Sequence, residues 1–435
     1  MIEQESKEEK KIEKRNPWSW IPSLYFAEGL PYVIVTFVAT VMYKQLGISN
    51  AEIALYTSWL YLPWVIKPLW SPVVDLLKTK RFWIYTMQLI IGGGIAGVAL
   101  TIPLPSFFQF TLAFFWLLAF SSATHDIAAD GFYMLALSES QQSFFVGIRS
   151  TFYRIAMITG QGLLVILAGF LETRFTIQLA WIFTLGVVGI LFVLFFIYHR
   201  FILPHPKDDK HAEYSHDQSL FTEFFKTFLR FFEKKKILLI ILFMLFYRLG
   251  ESQIVKMAPL FLLDKRDVGG LGLNLTDIGL LYGTVGIIAL MLGGILGGLA
   301  VSKKGLKFWL WPMMFAINIP HLLYVYLAFA QPTNYWIINA CVAGEQFSYG
   351  FGFTAFLVYM MYVSDGEFKA SHYAICTGFM ALGMMVPGMF SGMIQEALGY
   401  KTFFIYVVLT IIPSLFILKF IPLEYSYGKK KNTES

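Results

Sequence analysis

The chain alternates long apolar blocks with short polar punctuation. A helix needs roughly 20 apolar residues to cross the hydrocarbon of a bilayer. Blocks of that length predict helical spans at 17–43, 51–77, 82–104, 107–137, 144–171 and 176–198. After a polar break they predict six more, at 237–263, 275–301, 308–330, 335–363, 371–398 and 403–420. The expected fold is an all-α membrane protein with 12 transmembrane helices in two six-helix bundles. The bundles occupy 17–200 and 237–423, with tails at 1–16 and 424–435 and a linker at 201–236. A membrane β-barrel is excluded, because its strands alternate over roughly 10 residues and these blocks do not.

Composition agrees: 57% of the 435 residues are hydrophobic and 14% charged, against roughly 25% charged in soluble domains. The net charge of +6 belongs to the membrane surface rather than to nucleic acid. With the N-terminus inside, the inner segments carry 23 Lys and Arg and the outer loops five, which puts both termini in the cytoplasm. Cys341 and Cys376 lie in apolar stretches and support neither a disulfide framework nor a metal site. No metal or other cofactor is expected, and the chain reads as a monomer. Its mixed-charge N-terminus lacks the features of a signal peptide. In the linker, Phe221, Phe224, Phe225, Phe228 and Phe232 recur at helical spacing around Lys226 and Arg230. This predicts a helix lying in the cytoplasmic interface; the alternative is the start of span seven.

The candidate chemistry is a set of charges where hydrocarbon should be. Glu28, Lys67, Asp126, Asp130, Arg154, Arg248, Glu251, Lys256, His321 and Glu345 all fall inside predicted spans. Each costs roughly 2.5–3.5 kcal/mol facing lipid, so a shared polar interior is expected. Asp126 with Asp130, and Arg248 with Glu251, share helix faces by their spacing. Asp126, Glu28, Glu251 and Asp130 are candidate proton carriers, because a carboxylate in a partly dry cavity exchanges protons readily. Arg154, Arg248 and Lys256, with Glu345, Tyr32 and Tyr153, are candidate contacts for an anionic substrate. The alternative is internal pairing, Asp130 with Arg154 or Arg248 with Glu251. Glycines crowd span eight, where close helix packing explains them. Pro31, Pro63, Pro68, Pro72 and Pro387 are expected to kink helices.

The halves also carry a repeat. SPVVDLLKTKR after span two and GLAVSKKGLK after span eight place a small residue, three apolar ones, a short polar one and a basic cluster at equivalent points. The pattern resembles the loop motif of the major facilitator superfamily, with Ser302 in the acidic position of the second copy. Asp75, Lys78, Arg81, Lys303 and Lys304 are the gating candidates. A positive-inside loop with an incidental Asp75 is the alternative.

A closer resemblance lies in Gly29-Leu30-Pro31, Trp70-Ser71-Pro72-Val73-Val74-Asp75 and Ala123-Thr124-His125-Asp126-Ile127-Ala128-Ala129-Asp130. It continues in Tyr153-Arg154-Ile155-Ala156-Met157, Tyr247-Arg248-Leu249-Gly250-Glu251, Pro259-Leu260-Phe261-Leu262-Leu263 and Leu275-Thr276-Asp277-Ile278-Gly279. These resemble the AmpG-like muropeptide permeases and their acetyl-CoA transporter relatives, over about residues 20–300. His125 departs from the family pattern. The resemblance implies the major facilitator fold, in which spans one, four, seven and ten line a central cavity. It also implies proton-driven import of anhydro-muropeptides or related N-acetylglucosamine-containing sugars across a bacterial inner membrane by alternating access. The partners are then an anionic sugar or sugar-peptide, protons and the bilayer. Another oligosaccharide or an acyl-CoA-like anion is the alternative cargo. An enzymatic reading rests on His125-x4-Asp130, which has the spacing of an acyltransferase pair but no companion motif.

Overall fold

The computed structural model describes residues 15–206, 209, 228–365, 369–424 and 427. Among these the regular structure is helical, with no strand. Polar punctuation between the apolar blocks does the expected work of starting helices. Thr79, Thr176 and Asn334 each accept a backbone N–H in the first turn of the helix that follows. Ser138 with Gln141, and Asn274 with Asp277, form reciprocal capping boxes, which satisfy amide groups that the first turn leaves open.

Among the described residues, ten helices are long and apolar enough to cross a membrane. The last of them, His372–Leu418, is 47 residues long; Gly399, at φ +70, turns the chain within it and separates spans eleven and twelve. The second predicted span is built as Asn50–Trp59 and Leu62–Leu77, broken just before Pro63. Counting these, the described residues carry the 12 segments that the apolar blocks predict.

Several spans are irregular at places the expected proline kinks do not account for. Span one passes through a π turn at Ile34–Val38, span five at Thr159–Leu164 and span eight at Leu281–Gly286. Span seven stops at Phe246 and restarts at Leu249, with Arg248 non-helical at φ −110, ψ 22. Span nine restarts at His321, after Pro320.

By contacts the chain forms two compact units, Met1–Ala39 with Ile66–Asp217, and Thr40–Val65 with Gln218–Ser435. The first has a core around Trp20, Leu24, Ile84, Ala128 and Phe132. Its spans one and five meet where Gly29 lies against the backbone of Tyr153, 2.9 Å from where a Cβ would sit. The second has a core around Phe243, Tyr247, Met313, Phe356 and Tyr359. Here Gly293 and Gly297 of span eight pack closely, as expected, though Gly298 does not: a Cβ on Gly293 would lie 1.9 Å from the Phe347 carbonyl oxygen, and one on Gly350 of span ten 2.1 Å from that of Leu290. In the linker, Phe221, Phe224 and Phe225 fall outside the described residues. The part that is described packs on the second unit, where buried Phe231 stacks on Phe379.

The segment Thr40–Val65 joins the second unit through a polar network. Lys44 Nζ pairs with Asp264 Oδ1 at 2.5 Å and donates to Asn50 Oδ1 at 2.8 Å. Asn50 Nδ2 faces Gln395 Oε1 at 2.8 Å, the Tyr400 hydroxyl at 2.9 Å and Asp264 Oδ2 at 3.1 Å. The Tyr400 hydroxyl donates to Asp264 at 2.6 Å. A side chain on Gly392 has no room here, since its Cβ would lie 2.2 Å from the Asn50 carbonyl oxygen.

Two outcomes follow from this packing. Gly350→Ala should lower stability by about 1–3 kcal/mol, the usual cost of overpacking, because the obstructing atom is backbone. Gly298→Ala, which meets nothing within 4 Å, should not, and denaturant unfolding of the purified protein compares them. A double-mutant cycle on Lys44→Met and Asp264→Asn should give a coupling of about 0.5–3 kcal/mol; strict additivity would mean that the pair does not hold the segment.

Candidate ion and substrate sites

In the first unit the carboxylates come from spans one and four. Asp126 and Asp130, one turn apart on Phe107–Ala136, each meet a cation, but from different helices. Lys67 Nζ stands 3.8 Å from Asp126 Oδ2. Arg149 Nη2 stands 2.8 Å from Asp130 Oδ1, on half-buried side chains. The Arg149 guanidinium lies over the rings of Tyr25 and Tyr133, at 4.5 and 5.1 Å. Glu28, 7% exposed, sits within electrostatic reach of Asp130, Asp126, Arg149 and Lys67. Glu28, Lys67, Asp126, Asp130 and Arg149 thus form one cluster, with Tyr153 and Tyr32 beside it.

Arg154 is a different matter. It is exposed and makes no ion pair among the described residues, so the alternative pairing of Asp130 with Arg154 is not formed. Arg149, one turn earlier on the same helix, takes that place; its spacing from Arg154 puts the two on different faces. Arg149 is not among the intramembrane charges that the sequence pattern singles out.

In the second unit the Arg248–Glu251 pair is likewise not formed. The break in span seven turns them apart. Arg248 Nη2 donates to the Tyr349 hydroxyl at 2.5 Å, and its guanidinium lies over Phe353 at 4.5 Å. Arg248 is 6% exposed. Glu251 turns instead to span nine, where His321 Nε2 is 3.4 Å from its Oε2, and to Glu345 of span ten, whose carboxyl it contacts. Glu345 Oε2 also accepts from Gln346 Nε2 at 2.8 Å. Lys256 stands apart from these carboxyls. Its ammonium donates to Thr57 Oγ1 at 2.9 Å and lies 5.1 Å from the centre of the Tyr61 ring. Buried cations held only by neutral partners can receive an anion, since a carboxylate would give each a stronger, charge-assisted contact.

Of the gating candidates, Lys78 packs over Phe82 and Lys304 over Phe308, and Lys303 ends span eight. Asp75 lies within Leu62–Leu77. Arg81 reaches the Arg200 carbonyl. The start of span three is held by Asp209, which accepts the N–H groups of Lys80 and Arg81 at 2.7 and 3.1 Å.

His125 is fully buried in a hydrogen-bonded chain. Its Nε2 is 3.0 Å from Gln88 Nε2, Gln88 Oε1 is 2.9 Å from His199 Nδ1, and His199 Nε2 is 2.9 Å from Ser23 Oγ. The chain ties spans one, three, four and six together and leaves His125 no approach for an acyl donor.

The Major Facilitator Superfamily profile matches residues 23–371. A relative named "Putative transporter AmpG 4" from Rickettsia conorii is 25% identical over 92% of this chain and 94% of its own. The protein named "Anhydromuropeptide permease" from Escherichia coli K12 is 24% identical over 91% of this chain and 77% of its own. Among solved structures, a mutant of the nucleoside transporter NupG matches with a TM-score of 0.69 at 15% identity, covering 92% of this chain and 98% of that one. A D-xylose-proton symporter matches with a TM-score of 0.69 at 13% identity, covering 95% and 100%; at such identities these two speak for the fold. The fold, the multi-span membrane architecture and the profile agree: this chain is a transport protein rather than an enzyme, and it belongs to the Major Facilitator Superfamily.

Proposed function

We propose that the protein is a proton-coupled secondary active importer of anhydro-muropeptides or related N-acetylglucosamine-containing sugars. It works by alternating access in a bacterial inner membrane, as a monomer with both termini in the cytoplasm. The observation that carries this reading is the paired and clustered set of buried charges. A carrier that only slid a neutral sugar would have no use for Glu28, Asp126 and Asp130 in hydrocarbon, where each is costly. The relative named as an anhydromuropeptide permease, matched over 91% of this chain, supports the choice of substrate class.

The roles divide by chemistry. Asp126 is the first proton carrier: Lys67 at 3.8 Å is a loose partner that a proton on the carboxylate replaces at little cost. Asp130, bound to Arg149 at 2.8 Å, is held more firmly. Arg248 and Lys256, buried without a carboxylate partner, receive the acidic groups of the substrate, and Tyr32 and Tyr153 offer ring faces to the sugar. Lys44, Asp264 and Asn50 act as a closure that substrate exchange must undo, while Asp75, Lys78, Arg81, Lys303 and Lys304 serve the opposite side.

In proteoliposomes with an imposed inward proton gradient, uptake of a labelled anhydro-muropeptide should collapse with an uncoupler, and gradient-driven accumulation should fall at least tenfold in Asp126→Asn. Uptake indifferent to both would remove the coupling. Thermal shift of the purified protein checks the cargo, because a specific ligand stabilises the folded state by mass action. Stabilisation by a CoA derivative and none by a muropeptide would reassign the substrate.

A further inference from the structure

By sequence Glu345 is a candidate substrate contact, but its surroundings are those of something else. The carboxyls of Glu345 and Glu251, 1% exposed each, lie in side-chain contact. Each has a donor at one oxygen: His321 Nε2 reaches Oε2 of Glu251 at 3.4 Å, and Gln346 Nε2 reaches Oε2 of Glu345 at 2.8 Å. The other oxygen of each, Oε1, is buried with no donor. Two carboxylates are both acceptors, and in contact they repel unless one of them carries a hydrogen. A single proton held between them supplies the donor that both lack.

The cations near the pair are turned to other partners. Span seven brings Arg248, which is turned to Tyr349 and Phe353, and Lys256, which is turned to Thr57. Span eight brings Tyr282 and span nine Tyr324, whose hydroxyls lie 3.3 Å apart, together with His321. No Lys or Arg among the described residues forms an ion pair with either carboxyl. A metal does not fit the site, because no three ligating groups among the described residues stand close enough to hold one. The backbone makes room for the imidazole: a Cβ on Gly250 would lie 2.9 Å from His321 Cε1 and from Thr410 Oγ1.

We propose that Glu251, Glu345 and His321 form one proton-holding unit, in which the two carboxyls share a single proton and Glu345 is the partner of Glu251 rather than a contact for substrate. His321 donates from Nε2 to Glu251 Oε2 and so fixes the carboxyl that faces Glu345. The second unit thus carries its own proton site, separate from the Asp126 cluster. The use of that site in transport rests on the proton-coupled reading above; its existence does not.

Infrared difference spectroscopy on the purified protein in lipid, titrated from acid to alkaline pH, tests the site without transport. Glu345→Gln and Glu251→Gln should each remove the signal of one protonated carboxyl, and the double variant should remove no more than either single one. Unchanged spectra in the single variants, or losses that add in the double, would overturn the shared proton. Thermal shift with an anhydro-muropeptide checks the reassignment: Glu345→Gln should keep the stabilisation seen in the unmodified protein, and a tenfold or greater loss of affinity would make Glu345 a substrate contact. Should the infrared result hold while uptake ignores an uncoupler, the proton site stands and the coupled-transport reading falls.

Discussion

An ion in hydrocarbon must find its counterpart inside the protein, and that requirement organises this chain. Exposed ion pairs contribute little to stability, but a buried charge left alone is severely unfavourable. Each unit answers the problem differently. The first pairs carboxylates with cations, Asp126 with Lys67 and Asp130 with Arg149. The second segregates its signs: Glu251 and Glu345 meet each other and His321, while Arg248 and Lys256 rest on hydroxyls and aromatic faces. Such partners solvate a cation without neutralising it.

Backbone irregularity lies close to these groups. The π turn of span five, Thr159–Leu164, packs on span one, where a Cβ on Gly160 would strike Val33. That of span eight, Leu281–Gly286, carries Tyr282 toward the glutamate pair. The break at Arg248 is what turns the guanidinium to span ten and the Glu251 carboxyl to span nine. Interrupted membrane helices leave backbone polar groups that need local partners and do not persist in lipid-facing positions. The π turns of spans one, five and eight and the break at Arg248 thus lie near both clusters.

Much of this was legible in the chain. The apolar blocks located the spans, because hydrophobic length is a strong constraint, and the intramembrane charges marked the residues that cluster. Partner choice was not legible. The alternative pairing of Asp130 with Arg154 fails because the helix presents Arg149 to Asp130, and the two arginines, five residues apart, lie on different helix faces. Arg248 and Glu251 share a face only in an unbroken helix, and nothing in Tyr247-Arg248-Leu249 announces the break. Lys44, Asn50 and Asp264 read as ordinary loop and end residues, since their network depends on contacts more than 200 positions apart. His125 looked like an anomaly beside Asp126 and proves to be the end of a hydrogen-bonded chain through Gln88 and His199.

The central claim is that these charges exist to move a proton together with the substrate. Proteoliposomes with no imposed gradient, carrying a pH-sensitive dye inside, give the most direct measurement. Adding an anhydro-muropeptide outside should acidify the lumen as the substrate enters, at a fixed ratio of protons to substrate. Substrate entering at the same rate with no change in lumenal pH would contradict the account.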